Sequence, residues 1–240
     1  MHPSARLVYY GVVFAWYTFF FYACSYFVAN VDESRIAEGK FNPFVGSHWK
    51  YLSFLNVVLQ VVFYAVSLLT SAFILMKKQR TATFMISFKD LIFSSLVFPL
   101  STFVFATFWS MYLYDRDLLY PKYMDSIIPG WVNHGMHTLI LPLTLVEMFV
   151  IPHQYPSMGK GLSIVGMSAL AYLLWIFYFF AKTGKWVYPI FKFLSPLGMI
   201  VFSGIAVVTV LFNYVLGRFL NRMIWGDAVP VLDVHKKKSK

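Results

Sequence analysis

The sequence predicts an all-α polytopic membrane protein, with six transmembrane helices in one bundle and both termini in the cytosol. Three observations predict it. Hydrophobic residues occupy 59% of the 240 positions and charged residues only 12%, about half the charged share of a soluble domain. Apolar runs long enough to cross a bilayer recur along the chain, and backbone groups in hydrocarbon must pair inside their own segment, which selects helices. Trp49, Trp131, Trp186 and Trp225 stand at the ends of those runs, where an aromatic belt belongs.

Leu7 to Ala29 is the first expected span. It is too long for a signal-peptide core and lacks a small-x-small cleavage site, so it is expected to be retained. Tyr51 to Met76 is the second, closed by Lys77, Lys78 and Arg80, and Leu91 to Tyr114 the third, entered past Lys89 and Asp90. After a polar loop, Trp131 to Ile151 forms the fourth span, Leu162 to Ala181 the fifth and Gly198 to Leu220 the sixth. Residues 1–226 are read as one transmembrane domain and 227–240 as a basic cytosolic tail. Basic residues fall in excess on the side holding Arg6, the Lys77–Lys89 loop, Lys160, Arg218, Arg222 and the tail, which sets the orientation. The net charge of +10 is therefore matched to anionic lipid, and no nucleic-acid partner is expected. The single Cys24 forms no intramolecular disulfide and reads as a buried thiol. Lys237 and Lys238, fourth and third from the end, resemble a dilysine retrieval signal, so endoplasmic reticulum, plasma membrane or both are the expected locations.

Polar residues inside such spans are costly and point to function. His134 and His137 lie near the start of the fourth span, with Thr144 and Glu147 continuing roughly their face. Ser53, Asn56 and Gln60 share one face of the second span. In the expected topology both spans begin on the same side, and Ser53 and His137 sit about 6 and about 9 Å below their interfacial tryptophans. A hydroxyl and an imidazole at matching depth make a nucleophile and base. Helix-to-helix hydrogen bonding is the competing reading of the Ser53, Asn56 and Gln60 face, and a carbonyl of its own helix that of Thr144. Metal ligation by the two histidines with Glu147 or His153 is disfavoured, because His153 belongs at the other end of the span. A proton-coupled carrier is disfavoured for want of repeat halves or paired broken helices. No nucleophile elbow, phosphate loop or dinucleotide fingerprint occurs, so no cofactor is expected.

Several segments occur together in a specific order: Trp49-Lys50-Tyr51-Leu52-Ser53, Val97-Phe98-Pro99-Leu100-Ser101-Thr102-Phe103-Val104-Phe105, Tyr120-Pro121-Lys122, Ile128-Pro129-Gly130-Trp131, Asn133-His134-Gly135-Met136-His137-Thr138 and Trp186-Val187-Tyr188-Pro189. By these the chain resembles the androgen-induced protein family over about Trp16 to Asp227. The resemblance implies a six-span hydrolase of fatty acid esters of hydroxy fatty acids, with a threonine nucleophile and a histidine. The histidine matches His137 and the nucleophile matches Ser53, where this chain carries serine. Asn56, Gln60, Asn133, His134 and Thr138 are candidates for orienting or oxyanion roles, and Lys50, Lys122 and Lys185 for holding the substrate carboxylate. A lipid within the bilayer is the expected partner; protein partners are not readable. The alternative is a non-catalytic membrane regulator or scaffold, with a coagulation role the resemblance also implies, in which Ser53 replaces a nucleophile no longer used.

Overall fold

The structure, a computed structural model, describes residues 2–29, 48–126 and 128–226. The tail with Lys237 and Lys238, and the loop with Arg35 and Lys40, lie outside the described residues. The described residues are mostly helical, with no strand among them.

Helix α1 spans Pro3–Ala29 and starts on a proline, whose missing N–H costs nothing at a helix start. Tyr10, Val13, Tyr17, Phe20 and Cys24 are buried at alternating three- and four-residue spacing, so one stripe of α1 packs along helix α2, Leu52–Leu75. Tyr17 stacks on Tyr64 at 5.4 Å. Ser67, Thr70 and Ser71 of α2 donate to the carbonyls four residues back, which lets them be buried without interhelical partners. Lys77 then turns the chain with φ 57°, while Lys78 N–H reaches the Phe73 carbonyl and Lys77 N–H that of Ile74. This is a Schellman turn with lysine at the left-handed position usually held by glycine.

Helix α3, Gln79–Ile92, a widened turn at Phe93–Val97 and helix α4, Phe98–Asp115, run without interruption. Pro99 accounts for the widening: it cannot donate to the Ser95 carbonyl, and Phe98 N–H bonds back five residues to Phe93. The stretch around Lys89 and Asp90, expected as the approach to a third span, is thus helical, and both side chains are buried. The fourth expected span is also altered. Instead of one helix over Trp131–Ile151, helix α5, Gly130–His137, and helix α6, Ile140–Val150, meet at a break. Pro142 causes it, because its ring excludes the Thr138 carbonyl, and Thr138 and Leu139 N–H both fall on the His134 carbonyl. Helix α7 is Met158–Thr183, closed by Gly184 in the left-handed conformation, and helix α8 is Pro196–Trp225. Five helical stretches among the described residues are long and apolar enough to cross a membrane: Pro3–Phe27, Leu52–Leu75, Gln79–Leu118, Met158–Thr183 and Pro196–Trp225.

Candidate functional site

Ser53 is the second residue of α2, one turn after the short 3₁₀ turn His48–Lys50. The serines further along the helix bond to it; Ser53 has no such outlet. The carbonyl four residues behind it, on Trp49, accepts from Trp175 Nε1 at 3.1 Å. Ser53 lines a cavity of about 550 Å³ between α2, α4, α5, α7 and α8, a volume typical of small-molecule sites.

His137, at the end of α5, lines the same cavity. Phe54 and Val57 of α2 pack with Val132 and Met136 of α5, which ties the two helix starts together. Gly135 lets α5 also approach α1 closely, because a β-carbon there would run into the Phe20 ring of α1. The His137 ring stacks on Phe108 at 3.6 Å and 10°, which sets its plane. Its Nδ1 lies 2.8 Å from Asn133 Oδ1 and 3.0 Å from the Asn133 backbone carbonyl. A backbone carbonyl only accepts, so Nδ1 carries the proton, and the Nε2 lone pair is left for the cavity. A free hydroxyl and a correctly tautomeric imidazole on one apolar wall can take part in acyl transfer.

The other expected residues separate. Asn56 and Gln60 turn to α4, donating to Ser101 Oγ at 3.5 and 2.8 Å, and neither lines the cavity. The face they share with Ser53 in sequence therefore divides within two turns. His134 is exposed, 2.9 Å from Thr138 Oγ1 and stacked on Trp109, so these two residues point away from His137. Lys185 lines the cavity, as does Lys192, which the sequence did not single out. Lys122 is exposed and off the wall. Lys50 is 2% exposed with Nζ 4.9 Å over the Tyr51 ring, and burial together with the Lys185 charge lowers its pKa to about 8. Tyr172, Tyr188 and Phe108 were also missed; the Trp186-Val187-Tyr188-Pro189 segment was a signal for one of them, whereas Tyr172 and Phe108 look like any aromatic in an apolar run.

Glu147 and His153, weighed as metal partners for His137, meet each other at the far end of the bundle. His153 Nδ1 is 3.0 Å from Asp90 Oδ1 and Nε2 is 3.3 Å from Glu147 Oε1. Tyr10 donates to Glu147 at 2.9 Å, Lys89 Nζ stands 3.4 Å from Asp90, and the Asn221 amide brackets the His153 backbone. Glu147, which the sequence put on roughly the face of His134 and His137, is fully buried.

Residues 5–222 match the family model described as FAR-17a/AIG1-like protein. The chain is 40% identical to human androgen-dependent TFPI-regulating protein across 95% of its own length and 96% of that protein. It is 40% identical to the rat protein of the same name, over 95% and 97%. To human androgen-induced gene 1 protein it is 39% identical, over 81% of this chain and 84% of that one. No solved structure gives a significant match.

Proposed function

This chain belongs to the FAR-17a/AIG1-like protein family, and on that premise we propose that it is an integral-membrane esterase that hydrolyses fatty acid esters of hydroxy fatty acids. The observation that carries the proposal is the single cavity that both Ser53 and His137 line, with His137 held by Asn133 in the tautomer a general base needs. Ser53 Oγ attacks the ester carbonyl while His137 Nε2 takes its proton; the alcohol leaves with that proton, and water, deprotonated by His137, then releases the acid. The apolar wall, formed in part by Leu100, Val104, Leu173 and Ile176, suits the acyl chains. Lys185 and Lys192 on the same wall suit the free carboxylate such esters carry.

The test is hydrolysis of a branched fatty acid ester by the purified chain, with Ser53→Ala, Ser53→Thr and His137→Ala alongside. Wild type and Ser53→Thr should turn over, and the alanine variants should lose at least about 10³-fold in kcat. Lys185→Gln should raise KM for the free acid and leave its methyl ester unaffected. An inert wild type brought to life by Ser53→Thr would replace this reading with that of a regulator which has kept the site without the reaction.

A further inference from the structure

The first turn of α2 is held by a relay of hydrogen bonds that the chemistry above does not use. Leu52 N–H donates to Tyr188 Oη at 3.2 Å, the Tyr188 and Tyr172 hydroxyls lie 2.8 Å apart, and Tyr172 Oη donates to the Lys50 carbonyl at 3.0 Å. Each phenol has one proton. Tyr172 spends its own on Lys50, so Tyr188 donates to Tyr172, and the order runs Leu52 N–H, Tyr188, Tyr172, Lys50 C=O.

This relay, with Trp175 on the Trp49 carbonyl, occupies the two acceptors that Ser53 and Phe54 N–H would use if the helix extended one turn further back. Neither N–H has a backbone partner among the described residues. Both residues line the cavity. His137 lines the same cavity, is 6% exposed, and its Nε2 has no partner among the described residues. Two N–H groups without backbone partners at the positive end of a 24-residue helix, sharing one cavity with the serine side chain of Ser53 and the imidazole of His137, form a place where negative charge can develop on oxygen.

We propose that Tyr172 and Tyr188 are positioning residues that hold the first turn of α2 so that the backbone N–H groups of Ser53 and Phe54 receive the carbonyl oxygen of the bound ester. The inference rests on Ser53 being the nucleophile. As the Ser53 Oγ–carbon bond forms, the carbonyl π pair moves onto oxygen and the hydroxyl proton passes to His137 Nε2. The two N–H groups take up that charge. When the pair returns, the bond to the alcohol oxygen breaks and His137 gives this oxygen its proton.

Tyr172→Phe and Tyr188→Phe, made in the full chain and assayed in lipid, test it. Each should lower kcat by about tenfold or more with KM within about twofold, because the loss falls on the transition state. Affinity for a long-chain acyl trifluoromethyl ketone, whose adduct with Ser53 carries the oxyanion, should fall in step with kcat, while affinity for the non-hydrolysable ether analogue stays level. The double variant should be no worse than the more affected single one, since one relay is being cut twice. Unchanged kcat, or equal losses for ketone and ether, overturns the proposal. If Ser53→Ala keeps turnover, the assignment of Ser53 as nucleophile fails and this inference with it; if Ser53→Ala is dead while the phenylalanine variants match wild type, the inference alone fails.

Discussion

Asn133 shows how little a residue's type says about its task until its partner is known. It lies one turn before His137 and accepts from Nδ1 through both its side chain and its backbone. A neutral amide can select the tautomer without adding a buried charge. Asn133→Leu should leave the backbone acceptor in place and lower kcat by about 10- to 100-fold, with the fold checked by thermal unfolding; an unchanged kcat would remove Asn133 from the site. Lys50 presents the opposite case, a buried cation with no ion-pair partner among the described residues. Its folded-state pKa of about 8 lies below the ordinary 10.5. Between those values the unfolded chain binds the proton and the folded chain does not, so stability rises as pH climbs from about 8 towards 10 and is flat below. Lys50→Met should abolish that rise in denaturation experiments, and an identical pH dependence in the variant would contradict the assignment. Helical spacing alone could not tell His134 from His137, and only the family resemblance singled out His137: three residues apart, they share a helical face on average, and the Phe108 and Trp109 rings send them different ways.

At the scale of elements, the apolar runs were legible because crossing a bilayer depends on composition over about 20 residues. What composition hides is where a helix breaks or widens. Both irregularities have a proline four residues after the disturbed carbonyl, Pro99 for the widened turn and Pro142 for the break. Those prolines were visible, but membrane helices often absorb one without breaking. Asp90 and Lys89 read as a loop approach because charges usually lie at span ends; their burial depends on His153 arriving from a segment 63 residues away. That arrival ties α3, α6 and the connection after α6 into one knot, with α1 joined through Tyr10 and α8 through Asn221. His153→Ala would leave two buried carboxylates without the imidazole between them. It should destabilise the chain by about 3–5 kcal/mol, while Asn221→Ala, which removes only the backbone bracket, should cost about 1–3 kcal/mol. Equal small losses in unfolding midpoint for the two would show the knot to be incidental.

Across the whole molecule, polarity is sorted lengthwise. The Asp90, His153 and Glu147 knot closes the end where α1 begins and α8 finishes, and the cavity lies towards the other, where α2 and α5 begin. Between them the outer surface is apolar, with Val8 and Val12 on α1, Leu170 and Leu174 on α7, and Val201 and Val208 on α8 all exposed. Such a surface places the molecule in lipid. On the proposed esterase reading, the cavity that Lys185 and Lys192 line is then reached by molecules already dissolved in the same sheet of lipid. The collision that begins the proposed turnover takes place in two dimensions. The quantity that saturates the site is a mole fraction in the membrane, and adding inert phospholipid at constant total ester should slow turnover as dilution would. A rate indifferent to added lipid would mean that substrate enters from water, and the lysines of the cavity lining would need another explanation.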